Sequence, residues 1–154
     1  PGFYPNIVST HSFEERIRTI QAAKKAGLEL CSGVILGMGE TWEDRIDGAF
    51  LLRDLGVDSI PINLLVPVKG TSFESRETIS CNDAIRSICI FRIILADRII
   101  KIAAGRETVL KDFQGMGFLA GANGMLIGGY LTIKGRDVKS DHELVKETMS
   151  LWKK

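Results

Sequence analysis

Chemistry in this chain would have to come from a few residues set in apolar or glycine-rich surroundings, and the first of them is a thiol. Cys31 lies in "LELCSGVILGMGET", Leu28 to Thr41, a strand-like apolar run that breaks into Gly-x-Gly-Glu. Free cysteines are commonly buried and inert, so packing is the default reading of Cys31, as it is of Cys81 and Cys89. Position is what raises Cys31: it sits on a strand in register with a glycine-rich turn, and Gly33 lets backbone or a flat ligand come close. The turn itself, Gly37-Met38-Gly39-Glu40, opens a helix as phosphate-binding turns do. It lacks the full Gly-x-Gly-x-x-Gly, however, and Glu40 would put a carboxylate where a phosphate should sit. A tight strand-to-helix turn that needs positive φ is the plainer reading.

Two polar side chains interrupt apolar strands. Asn63 stands between Ile62 and Leu64 and so alternates onto one face. A buried amide without partners costs about 1 to 3 kcal/mol, so Asn63 either ties neighbouring strands or holds a substrate. Lys101, between Ile100 and Ile102, follows the same logic: facing inward, it needs a counter-charge, a ligand or water. His11 and His142 fall at or near helix starts, where surface or capping roles suit them, and no Ser/His/Asp arrangement is apparent.

The elements that position these residues follow from periodicity and punctuation. Ser12-x-x-Glu15 is a capping-box pattern, and apolar residues at helical spacing predict a helix from about 12 to 26, stopped by Gly27. Leu28 to Leu36 reads as a buried strand, and Thr41 to Leu55 as a second helix closed by Gly56. "DSIPINLLVPVKG" is a second strand, residues 71–80 a polar loop, and Asn82 or Asp83 caps a long helix to about Leu95. "RIIKIAAG" is a third strand, "ETVLKDFQGMGFLAG" a short helix, "NGMLIGGYLT" a fourth strand, and Ser140 to Trp152 a last helix.

Strict strand-helix alternation with short turns implies an α/β fold of parallel strands with helical crossovers. An open doubly wound sheet and part of a (β/α)8 barrel both satisfy it, and a complete barrel typically needs about 250 residues. About four units in 154 residues, entered abruptly, favour the C-terminal half of a TIM-type barrel, with residues 1–154 as a single domain. In either architecture functional groups collect at the C-terminal ends of the strands, which selects Gly37 to Glu40, Asn63 to Lys69, Gly105 to Glu107 and Gly128 to Lys134.

Composition excludes several classes. With 45% hydrophobic and 25% charged residues, disorder is not expected, and a net charge of +1 without long runs of like charge argues against nucleic acid or a polybasic membrane anchor. Arg92, Asp97, Arg98 and Lys101 interrupt the longest apolar run, so no membrane span is expected. Three unpaired cysteines make no disulfide framework and fit a reducing cytoplasm. Partners should be small molecules or protein.

At these residues the sequence resembles the biotin synthase family of radical S-adenosylmethionine enzymes. The resemblance is carried by "THSFEERIRTIQAAKKAGLELCSGVILGMGET", "SIPINLLVPVKGT", "AAGRE" and "FLAGANGMLIGGYLT", in the family's order and over essentially the whole chain. It implies that the parent protein inserts sulfur into dethiobiotin to form biotin by radical chemistry. The family's Cys-x-x-x-Cys-x-x-Cys loop, which binds the [4Fe-4S] cluster, belongs upstream and is absent from this sequence, so the fragment alone should be inactive.

Carried over by residue, the resemblance assigns Cys31 as a ligand of an auxiliary iron-sulfur cluster near the barrel mouth, the proposed sulfur donor and so a catalytic group. Gly33, Ile35, Gly37 and Glu40 match a Gly-x-Ile-x-Gly-x-x-Glu element that, with Val66, bounds the adenine of S-adenosylmethionine. Asn63 matches the amide that bonds the ureido ring of dethiobiotin, and Thr132 a threonine at the substrate's carboxylate end. Two positions depart from the family: Lys101 stands where the family has an arginine metal ligand, and Ile133 where it has a second threonine. A protonated lysine cannot ligate a metal, so the auxiliary cluster should differ in type or ligand. The resemblance further implies a homodimer and an electron donor such as flavodoxin or ferredoxin. The alternatives are a maturase-like or mutase-like paralogue and a non-catalytic half-barrel binding module.

Overall fold

The computed structural model describes residues 4–130 and 135–152. Its helices are α1 (Phe13–Lys25), α2 (Trp42–Asp54), α3 (Cys81–Ile94), α4 (Arg106–Val109), α5 (Gln114–Leu119) and α6 (Val138–Ser150). Its strands are β1 (Val34–Leu36), β2 (Ser59–Leu64), β3 (Ile99–Ile102) and β4 (Gly124–Met125). They form one sheet in the order β1-β2-β3-β4 with every pairing parallel. Four strand-helix units laid side by side in chain order are the arrangement of half a (β/α)8 barrel.

Alternation along the strands divides the sheet into a dry face and an open one. Leu36, Ile60, Ile62, Leu64, Ile100 and Ile102 are buried against Ala49 and Leu52 of α2 and Ala84, Ile88 and Phe91 of α3. Each such side chain removed from water stabilises by about 1.5 to 3 kcal/mol, so this layer holds the fold together. The residues in between, Cys31, Ile35, Ser59, Pro61, Asn63, Ile99 and Lys101, face the other way, and Ile35 and Ile99 remain 48% and 46% exposed. Helix α1 has no buried residue and touches the core through Ile20 and Ala23.

The helix starts obey their capping patterns. Ser12 accepts from the Glu15 N–H while Glu15 accepts from the Ser12 N–H, and Thr41 and Asp44 repeat that exchange at α2. A cap of this kind stabilises by about 1 kcal/mol. At α3 the cap is Ser80, bonded to the Asp83 N–H at 3.0 Å, rather than Asn82 or Asp83.

Three expected elements are shorter than their sequence pattern. The strand expected over 28–36 is regular only from Val34, with an isolated bridge pairing Cys31 and Ser59. Ser59 donates its N–H to Leu30, so two residues on the N–H of residue 61 would face β1 as well, but it is a proline and has none. The ladder therefore breaks between the bridge and Val34. The helix expected over 107–121 is split, because Lys111 adopts φ +51 and a short 3-10 turn, Lys111–Phe113, separates α4 from α5. Of the fourth strand, expected over 123–132, the described residues 123–130 are regular only at Gly124–Met125 and turn away at Gly128, φ +77, while 131 and 132 lie outside the described residues.

Candidate functional site

The open face of the sheet is organised in rows set by strand register. Cys31 pairs with Ser59, and Ser59 with Ile99. In the next row Pro61 pairs with Lys101 and Lys101 with Gly124, while Gly33 lies so close to Pro61 that a Cβ on it would sit 1.9 Å from the Pro61 carbonyl oxygen. Ile35 pairs with Asn63 in the row beyond. Gly33 is thus required by the close approach of two strands, whatever else it serves.

Cys31 is exposed on this face, but not at the mouth where it was expected. Asn63 stands level with Ile35, four residues beyond Cys31, about 13 Å along the strand at 3.3 Å per residue. The thiol therefore sits at the N-terminal end of the sheet, opposite the turns that follow the strands. Beside it lies a residue that sequence reasoning missed: the Ser59 hydroxyl is buried and without a hydrogen-bond partner. The available signal was phase, since Ser59 shares the alternation of Pro61 and Asn63.

Lys101 occupies the row between. It is half-buried, and no carboxylate of the described residues lies within ion-pair distance of it. Its Cγ runs over Gly124, where a Cβ would come within 3.0 Å. The glycine gives the lysine stem its room.

The Asn63 amide is held from both sides. Its Nδ2 donates to the Val34 carbonyl at 3.2 Å, and its Oδ1 accepts from the Ala104 N–H at 3.2 Å. Both partners are backbone groups of fixed polarity, so the amide's orientation is unambiguous. Asn63 ties neighbouring strands and retains one N–H and one lone pair for a ligand.

At the mouth, Gly37 and Gly39 take φ +96 and +108, and the N–H groups of Gly37, Met38 and Gly39 converge on the Glu40 carboxylate at 2.8 to 3.2 Å. Arg45 completes the enclosure, its guanidinium 2.7 Å from Oε1, with the two side chains 8% and 7% exposed. Arg45 also donates to Ser87 and stacks over Trp42 at 4.5 Å. Glu40 therefore shapes the turn from inside and presents no free oxygen to a ligand. Ile35 and the half-buried Val66 lie beside this end of the face, and Thr132 lies outside the described residues.

Gly105 to Glu107 serve a different purpose. Arg106 is fully buried and bonds Asp141 at 2.7 Å, Glu107 at 3.1 Å, Gln114 and the Tyr130 hydroxyl. Asp141, also fully buried, accepts from the Gly128 N–H at 3.0 Å. Burial pushes the Tyr130 phenol above its ordinary range, with the Arg106 charge opposing, so the hydroxyl keeps its proton at neutral pH. This cluster joins α4, α5, α6 and the segment after β4. Asp141 carried no signal in the sequence, where it reads as an ordinary first-turn acid.

Among the described residues no group of three His, Cys, Asp or Glu could hold a metal ion. An iron-sulfur cluster needs several thiolates, and this face supplies one, Cys31. The donor set fits one share of a cluster completed by ligands from elsewhere. No helix among the described residues is long and apolar enough to cross a membrane.

Comparison with known proteins places this geometry. Residues 61–148 match the family model of the Biotin and Thiamin Synthesis associated domain. The chain is 53% identical over 146 residues to biotin synthase of Carboxydothermus hydrogenoformans, covering 95% of this chain and 45% of that protein. It is likewise 53% identical over 147 residues to biotin synthase of Thermotoga neapolitana, covering 95% and 52%. The chain thus spans about half the length of the curated relatives it matches. Among solved structures, methylornithine synthase aligns with TM-score 0.70 at 22% identity, over 92% of this chain and 45% of that one. A native KDPGal structure aligns with TM-score 0.52 at 16% identity, over 87% and 56%. These likenesses concern the fold.

Proposed function

We propose, because this chain belongs to the Biotin and Thiamin Synthesis associated domain family, that it is the C-terminal half of a biotin synthase. In this reading it supplies substrate-binding and auxiliary-cluster residues to the radical insertion of sulfur into dethiobiotin. The observation that carries the proposal is that Cys31, Lys101 and Asn63 stand in successive rows of one open sheet face, below a glycine turn.

Cys31 would ligate the auxiliary cluster, with the unpartnered Ser59 hydroxyl beside it. Asn63 would offer its spare N–H and lone pair to the C=O and N–H edge of a ureido ring, already oriented by Val34 and Ala104. Gly37 with Ile35 and Val66 would border the adenosyl group of S-adenosylmethionine, with Glu40 acting indirectly through the shape of the turn. Gly33 would allow the ligand a flat approach to the strand, and Thr132 would meet the substrate's carboxylate end. The bound cofactors would supply one-electron reduction, hydrogen abstraction and sulfur, while the chain positions the reactants and keeps water out. The partners would be a second subunit and an electron donor such as flavodoxin or ferredoxin, in the cytoplasm.

The test is anaerobic reconstitution of the full-length protein. Iron well above one [4Fe-4S] cluster is expected, and Cys31→Ala should remove the excess and abolish biotin formation. Unchanged iron in the variant would refute the role of Cys31. The substitution of lysine at 101 favours one second reading, a radical paralogue with another substrate, which would be supported by failure of the full-length protein to turn over dethiobiotin.

A further inference from the structure

We propose that Glu40 is a specificity determinant: a tethered anion that fills a phosphate-type nest and so restricts the neighbouring pocket to ligands that bring no phosphate to it. The inference rests on the reading that the Gly37 to Glu40 turn borders a nucleoside ligand.

Three successive backbone N–H groups in a glycine turn at the start of a helix make an anion-binding concavity. Here α2 follows the turn and runs 13 residues, long enough to add the favourable potential of its N-terminus. Ordinarily such a nest receives a phosphate from outside. In this chain all three N–H groups are taken by Glu40, with Oε2 alone reached from Gly37, Met38 and Gly39. Arg45 Nε donates to Oε1 at 2.9 Å, and its position is fixed by Ser87 on α3 and by Trp42 beneath it. The carboxylate is therefore as well solvated as a bound phosphate would be, and its charge is neutralised on the spot.

The consequence for ligands is one of donors withheld. A nucleotide phosphate arriving at the turn loses water and finds no free backbone N–H there, only the solvent-exposed Arg76 guanidinium, so little of its desolvation is offset. An adenosine whose 5′ substituent is cationic or neutral needs no such donors. Gly39 is held to glycine by its φ of +108, and the exposed Arg76 guanidinium lies over the outer side of the turn.

Removing the Glu40 side chain should reopen the nest and leave Arg45 as a second donor to whatever enters. The full-length protein is assayed by equilibrium dialysis with S-adenosylmethionine, AMP and inorganic phosphate. Wild type should bind S-adenosylmethionine without displacement by millimolar AMP. Glu40→Ala should bind AMP and phosphate about tenfold more tightly or better than wild type, the scale of charge-assisted bonds regained. Acetate should compete away that gain and raise the thermal midpoint of Glu40→Ala but not of wild type. Glu40→Gln, which refills the space, should show little gain.

The proposal is overturned if a folded Glu40→Ala gains no affinity for AMP or phosphate, or if wild type already binds AMP as tightly. Should Glu40→Ala be too unstable for dialysis, its thermal midpoint decides, and no rise in acetate over chloride at equal ionic strength overturns the proposal. If wild type fails to bind S-adenosylmethionine, the reading of the turn as a nucleoside border is what falls, while the acetate and phosphate arms still judge the nest.

Discussion

Removing the Asp141 carboxylate should expose how much of the second half of the fold depends on one buried ion pair. Arg106 and Asp141 are both 0% exposed and 2.7 Å apart, and Asp141 also accepts from the Gly128 N–H. Removing one member of a buried pair typically costs about 3 to 5 kcal/mol, because the surviving charge is left uncompensated. Here Glu107 remains 3.1 Å from Arg106 and is 24% exposed, so the loss in Asp141→Asn belongs at the lower end, about 3 kcal/mol. For a domain of this size that corresponds to a fall in melting temperature of about 6 to 12 °C. Urea denaturation and thermal scans followed by circular dichroism measure it directly. The double variant Arg106→Met with Asp141→Leu removes both charges but leaves buried Gln114 and the Gly128 N–H without their partners, so it should recover only part of the loss. A single variant within about 0.5 kcal/mol of wild type would refute the account of this cluster.

Other consequences follow from the same geometry. Asn63→Ala orphans the Ala104 N–H and removes the side-chain donor from the Val34 carbonyl, and should cost about 1 to 3 kcal/mol in urea denaturation; no change would mean the amide does not tie the strands. Gly33→Ala should disrupt the β1–β2 junction, because its Cβ would lie 1.9 Å from the Pro61 carbonyl oxygen; wild-type solubility and melting would contradict the close approach. Three exposed capping carboxyls contribute to the acid limb. The Ser140 hydroxyl holds Asp137, and the N–H groups of Thr41 and Ser12 hold Asp44 and Glu15, below the ordinary carboxyl range. Their stabilisation is full above the unfolded values near pH 4 and is lost as pH falls through the lowered folded values. Melting temperature should therefore drop on acidification below about pH 4, and replacing all three with their amides should flatten that drop.

Local rules predicted most elements. Capping boxes at Ser12 and Thr41 and period-2 runs at β2 and β3 were legible because each depends on neighbours within a few residues. The shortfalls have distant causes. β1 is interrupted by a proline on the adjacent strand, and the helix after Glu107 is broken by a left-handed Lys111 that no pattern announces. Ser80, Asn82 and Asp83 are all competent caps for α3, and the Ser80 hydroxyl is the one that accepts from the helix, at the Asp83 N–H.

By itself the sequence determined the alternation of strands and helices, the two faces of each strand and the presence of a thiol, an amide and an amine on apolar runs. It also contained the hint that a carboxylate stands where a phosphate would. Only the tertiary structure decided what those groups meet. Register carried Cys31 to the far end of the sheet from the mouth, gave Lys101 a glycine to lie against, fastened Asn63 between two backbones, and closed Glu40 into its own turn with Arg45. The physical reason is that side-chain type and periodicity act within a few residues. Hydrogen bonding, ion pairing, burial and strand approach join residues as far as 42 positions apart, as between Arg45 and Ser87, and are settled only when the chain packs.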